Sequence, residues 1–195
     1  MLPNHATQTD PYLHEAKGAS TAAAGQVLTA TGSGTAIFQS PATGGSGSIV
    51  QTLTSLTQST STGTTTIPFD NTIPQSTEGT NFISGSITPT AIGNKIQVEV
   101  NVFGAYSVAA HVIAALFQDA NVNTLAASSM QTTTTDQDVH LTLVYQFVAA
   151  ATTSTTIKLN IGGSTAGTFT LNGNAGAAVF GGAATSSMRL TEIKA

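Results

Sequence analysis

Nine carboxylates and four histidines are the acid–base and metal-binding inventory of this 195-residue sequence. Their spacing decides what they could do. His5, His14, His111 and His140 form no HxH or HExxH pair, the arrangements that place two imidazoles on one zinc ion. His14 is followed by Glu15, a pair suited to polar contact with a partner, while His111 and His140 fall at the starts of strands, where a surface or interface imidazole is expected. Asp136 and Asp138 lie two apart on a loop and could offer calcium two hard oxygens; Asp70 and Glu78 flank another loop. Neither pair has further acidic neighbours, so no metal is expected. No serine sits in GxSxG, and the glycine-rich stretches neither precede a helix nor carry Lys-Ser/Thr, which argues against a nucleophile elbow and a phosphate cradle. With only 7% charged residues there are few groups for acid–base catalysis, and no cysteine for disulfides or thiolate sites. The expectation is a protein that is not an enzyme and uses no cofactor.

Charge narrows the partners. Lys17, Lys95, Lys158, Arg189 and Lys194 are scattered singly and the net charge is −4, whereas a nucleic-acid surface needs clustered cations to displace counterions. No run approaches the roughly 20 apolar residues of a membrane helix, and the first ten residues lack the apolar core of a secretory signal, so cytoplasmic synthesis is expected. Thr, Ser, Asn and Gln supply the polar surface, and Thr also favours strands.

Such side chains must be positioned by strands. From Lys95 to Val102 the residues alternate: Ile96, Val98, Val100 and Val102 share one face, and Lys95, Gln97, Glu99 and Asn101 the other. Similar alternation recurs at Leu141, Leu143, Tyr145 and Phe147, and at Ile157, Leu159 and Ile161. Further strands are expected at 49–53, 81–90 and 125–130 and around Phe169, Leu171, Met188 and Leu190, with Asn172-Gly173-Asn174 as a turn. Residues 54–66 read equally as a polar edge strand or a loop. Pro68 and Pro74 bar central strands at 67–75. Eight to ten short strands without a helix imply an all-β sandwich or jelly roll spanning 49–195.

Two segments stand apart. Residues 41–48, Pro-Ala-Thr-Gly-Gly-Ser-Gly-Ser, have the composition of a flexible linker. Before it, Val27-Leu28 and Ile37-Phe38 flank Thr31-Gly32-Ser33-Gly34, which predicts a small β-hairpin. A lone hairpin is marginal in water and needs something to pack on, which makes residues 1–40 a candidate docking segment. Within the sandwich, residues 111–118 are apolar on both faces. One cover is the opposite sheet; the other would come from a second subunit or from a loop of the same chain. The first option makes residues 112–117, with Val112, Ile113, Leu116 and Phe117 foremost, the expected subunit interface.

Two blocks carry a resemblance. Leu13-His14-Glu15-Ala16-Lys17-Gly18, then Ala24-Gly25-Gln26-Val27-Leu28 and Gly32-Ser33-Gly34, resembles the HEPKG…AGxVxxxxGxGxxxW segment at the N-terminus of small virion proteins of tailed bacteriophages, with Ala16 for the usual Pro and Phe38 where Trp is common. The run from Thr66 to Gly79, followed by Ile87-Thr88-Pro89-Thr90, residues 114–119, Phe180-Gly181-Gly182 and Leu190-Thr191-Glu192-Ile193, is similar to a C-terminal domain of head-fibre-like and tail-fibre-like proteins. The resemblance implies a homotrimeric virion fibre or decoration protein with a tumour-necrosis-factor-like jelly-roll knob. Docking to a capsid or other virion protein would run through residues 1–40, with Tyr12, Leu13, His14, Glu15 and Lys17 in contact. Head attachment is favoured, because the chain is short for a long tail-fibre shaft. The alternative is a receptor-binding tail fibre whose loops at 131–138 and 172–174 touch host surface glycan. A polysaccharide hydrolase would need paired carboxylates, which nine scattered acids do not suggest.

Overall fold

The structure, a computed structural model, describes residues 22–32, 35–40 and 44–195, and the chain divides into two units, Met1–Gly44 and Gly45–Ala195. In the first, β1 (Val27–Gly32) and β2 (Thr35–Gln39) pair antiparallel, Leu28 opposite Phe38 and Thr29 opposite Ile37. This is the hairpin that the two apolar runs predict. Val27, Leu28 and Ile37 remain exposed. Tyr12, Leu13, His14, Glu15 and Lys17 lie outside the described residues.

The second unit is built from strands. In chain order they are β3 (Ile49–Thr57), β4 (Ser61–Gly63), β5 (Thr80–Ile87), β6 (Lys95–Tyr106), β7 (His111–Gln118), β8 (Ala126–Gln131), β9 (Gln137–Val148), β10 (Thr155–Gly163), β11 (Phe169–Leu171), β12 (Gly173–Asn174), β13 (Ala177–Ala178) and β14 (Ser186–Ile193), with one 3-10 turn at Phe180–Gly182. The boundary falls inside the glycine-rich stretch. Gly47 N donates to Lys194 O at 2.8 Å and Lys194 N to Ser48 O at 2.9 Å, which pairs the end of that stretch with the C-terminal strand.

Two antiparallel sheets face each other. One runs β3-β14-β6-β11-β4, with β9 on the other edge of β6; the second runs β5-β10-β7-β8. The period-two pattern decides which side chains meet between them. Ile96, Val98, Val100 and Val102 of β6, Leu141 and Leu143 of β9, and Met188 and Leu190 of β14 are buried against Ile83 and Ile87 of β5, Val112, Ala114 and Leu116 of β7, and Ile157, Leu159 and Ile161 of β10. Each such Val, Leu or Ile contributes about 1.5–3 kcal/mol by leaving water. The result is an all-β, jelly-roll-like sandwich, as the sequence predicts. Residues 54–66 divide into the end of β3, a short break and β4. The short strands β4, β11, β12 and β13 have two or three residues each, too few to show a period.

One carboxylate shares the inward phase of β14. Glu192 is fully buried. Its oxygens accept from Gln51 Nε2 (2.6 Å), Asn94 Nδ2 (2.7 Å), Thr90 N (2.8 Å) and Thr90 Oγ1 (2.9 Å). Burial alone would raise its pKa, but these four donors outweigh burial and hold it at about 2. The group pins the β5–β6 connection and β3 to β14.

Candidate functional site

The strand apolar on both faces is covered by its own chain. Val112 and Leu116 sit in the main core, while Ile113, Ala115 and Phe117 form a second buried cluster with Ile67. Ile67 belongs to a strap, residues 64–79, laid across the outer face of the β5-β10-β7-β8 sheet. The strap is tied at both ends. Ile67 N donates to Gly163 O at 3.1 Å at the end of β10, and at the far end Thr124 N donates to Pro74 O at 3.0 Å and Ser76 N to Val122 O at 2.7 Å. The expected subunit interface is therefore corrected: Val112, Ile113, Leu116 and Phe117 are buried within one subunit and offer no surface to a second copy. The prolines that exclude 67–75 from a central strand leave that segment free to act as a lid. Ile67→Ala should empty the middle of this cluster and lower stability by about 2–4 kcal/mol, read as a fall in urea midpoint at fixed protein concentration; an unchanged midpoint would mean the strap contributes no cover.

A different face is open. On the outer side of the large sheet, cross-strand partners form rows: Leu56–Ser187–Asn101–Thr142, Thr54–Arg189–Glu99–Val144, and Thr52–Thr191–Gln97–Gln146. A further row pairs Ile193, Lys95 and Val148. Val144 and Val148 are each 61% exposed and Leu56 63%. Glu99 and Arg189 neutralise each other in an ion pair at the centre. At one end Phe103 lies between His140, centroids 5.1 Å apart, and Phe180, at 5.8 Å. Phe180 is 74% exposed and holds a left-handed backbone at φ 52°. A bulky residue in that region is strained, and the strain presents the ring to solvent.

The remaining candidates have local duties. Asn174 Nδ2 donates to Asp136 O at 2.8 Å and to Asp138 Oδ1 at 3.2 Å, so the two aspartates tie the β8–β9 turn and the start of β9 to β12. Glu78 Oε2 accepts from Gln75 N at 2.8 Å within the strap. Asp70 Oδ1 accepts from Thr72 N at 2.8 Å and from Thr72 Oγ1 at 2.5 Å, an Asx turn that keeps the Asp70 carboxyl below its ordinary pKa. Among the described residues no three His, Asp or Glu side chains converge as a metal site would require. No helix among them is long and apolar enough to cross a membrane.

Sequence reasoning missed one juxtaposition. Phe69 of the strap stacks flat on His111 at the start of β7, centroids 3.8 Å apart and planes 4° from parallel. The pair borders a groove of about 310 Å³ between the strap and β8, lined by Phe69, Asp70, Thr72, Ile113, Ser128 and Ser129 among others. The partners are 42 positions apart, and no local pattern links them.

No family model matches this chain, and no curated protein sequence matches it. Among solved structures, it is similar to the Eiger TNF from S. frugiperda, with 12% identity and TM-score 0.43 over 74% of this chain and 94% of that one. A second likeness is to the VP2 subviral particle protein of infectious bursal disease virus: 11% identity and TM-score 0.36 over 87% of this chain and 43% of that one. A third is to the enzymatically active domain of tailspike protein 4 of bacteriophage CBA120, with 17% identity and TM-score 0.26 over 63% of this chain and 19% of that one. The fold assignment rests on the strand pairing itself.

Proposed function

We propose that this chain is a structural protein of a tailed-bacteriophage particle: a homotrimeric fibre or decoration protein, docked to the head surface through residues 1–40 and displaying the sandwich as a knob. The observation that carries it is the division into two unlike units. The first contains a two-stranded ribbon whose Val27, Leu28 and Ile37 are exposed. Such a ribbon gains stability by packing on another protein, as a docking segment does. The second has an independent core and its own exposed, nearly neutral sheet face. The resemblance of residues 13–34 to virion docking segments supplies the class of partner, and that of the knob supplies the number of copies. Residues on the outer face of the large sheet, Val144, Val148, Leu56 and Phe180, take over as the trimer contact.

Deletion of residues 1–40 tests the docking half. The truncated chain should fold, keep the oligomeric state of the full chain, and be missing from particles assembled in its presence. Incorporation at the level of the intact chain would overturn the reading.

A further inference from the structure

We propose that the groove beside Phe69 is a saccharide subsite. The inference adds to the virion role and is separable from it, since a knob that binds no sugar could still be carried on a particle.

A pyranose offers two kinds of surface, a patch of C–H groups and a rim of hydroxyls. A site for it needs a flat apolar platform next to fixed hydroxyl partners. Phe69 is 57% exposed, yet its ring is held in place from behind by His111. An aromatic ring stacked on one face and open on the other is a platform that loses little freedom on binding. Asp70 follows immediately. Its Oδ1 is occupied by Thr72, which orients the carboxylate, while Oδ2 has no partner among the described residues and is a charged acceptor. Charge-assisted bonds from sugar hydroxyls to such an oxygen are stronger than neutral ones. Ser129, directly across from Ile113, supplies a hydroxyl on the far wall, and Ile113 closes the floor. The volume, about 310 Å³, lies at the small end for ligand pockets and suits one or two sugar rings.

Position favours the same use. The groove is on the strap side of the small sheet, and the face assigned to self-association is on the opposite side of the sandwich, so assembly leaves the groove open. The mixed lining also discriminates against other ligands. A purely apolar guest would make no use of Asp70, and an anion would meet its charge.

The test uses the intact chain and a panel of methyl pyranosides of glucose, galactose, mannose and N-acetylglucosamine. Binding is read by saturation-transfer NMR from protein to sugar and by titration of amide shifts. At least one sugar should bind in the millimolar range and shift amides of residues 68–74 and 127–129. Phe69→Leu keeps the apolar bulk and removes the flat ring; Asp70→Asn keeps the shape and removes the charge. Each should weaken binding about tenfold, with the amide fingerprint elsewhere unchanged. Saturation transfer to none of the four sugars overturns the proposal, as does binding that Phe69→Leu leaves intact. Binding lost in Phe69→Leu but untouched in Asp70→Asn also overturns it, because that pattern belongs to an apolar guest.

Discussion

Glu192→Ala should cost about 3–5 kcal/mol at pH 7, the largest loss of stability from any single polar side chain discussed above. Among the described residues no cation pairs with this buried carboxylate, so its charge is supported by four neutral donors from Gln51, Thr90 and Asn94. Removing it leaves the buried Asn94 amide without its acceptor and breaks the bonds that hold Gln51 and Thr90 to β14. Asn94 Oδ1 also accepts from Ala195 N at 3.2 Å, so the damage reaches the C-terminal end. The pH dependence follows from the direction of the shift. The folded value of about 2 lies below the ordinary 4.5, so the folded state holds the charged form more tightly than the unfolded chain does. Its contribution is present in full above pH 4.5 and is lost as pH falls through 2. The drop from 4.5 to about 2 corresponds to roughly 3 kcal/mol. Urea titrations at pH 7 and pH 2.5, at one protomer concentration because association adds apparent stability, should show the wild type and variant far apart at the first pH and close together at the second. Equal midpoints at pH 7 would show that the four bonds provide no net support.

The sequence contained the clue to that carboxylate. Met188, Leu190 and Glu192 share one phase of β14, and the first two are core residues, so period two alone places an acid among apolar side chains. Alternation of this kind made the two sheets legible: Ile96 to Val102, Leu141 to Leu143 and Ile157 to Ile161 all point inward as their spacing requires. Likewise β7 is buried on both faces, as its composition demands. What covers it was not legible. A strap has no period, and a single isoleucine, Ile67, carries the packing. The sequence could not distinguish a loop of the same chain from a second subunit, because both bury the same residues. The groove was hidden for a related reason, since Phe69 and His111 meet only when the strap is laid over the sheet.

Placing the proposed assembly contact on the outer face of the large sheet gives a sharp expectation: Val144→Lys combined with Phe180→Ala should convert the proposed trimer to monomers at micromolar concentration while leaving the subunit folded. Val144 lies directly across from Glu99, so a lysine there finds an opposite charge within its own subunit. Phe180 is mostly exposed and strained, so its removal costs the isolated subunit little. In an assembly the balance reverses. Truncating a central aromatic anchor costs about 2 kcal/mol or more per contact. Lysines from three copies brought together on a nearly neutral face would add repulsion and desolvation. A rise in dissociation constant of at least a hundredfold is expected, seen as a fall to one-subunit mass by sedimentation equilibrium. Ser86→Lys on the outer face of the small sheet serves as the control, because it changes charge without touching the assigned contact. Three-subunit mass in the double variant, or dissociation caused equally by Ser86→Lys, would place the contact elsewhere. A one-subunit wild type would remove the assembly itself. The physical reason to expect association is that the chain leaves Val144, Val148, Leu56 and Phe180 in water on one sheet face whose central charges already cancel, an arrangement that a second copy stabilises and solvent does not.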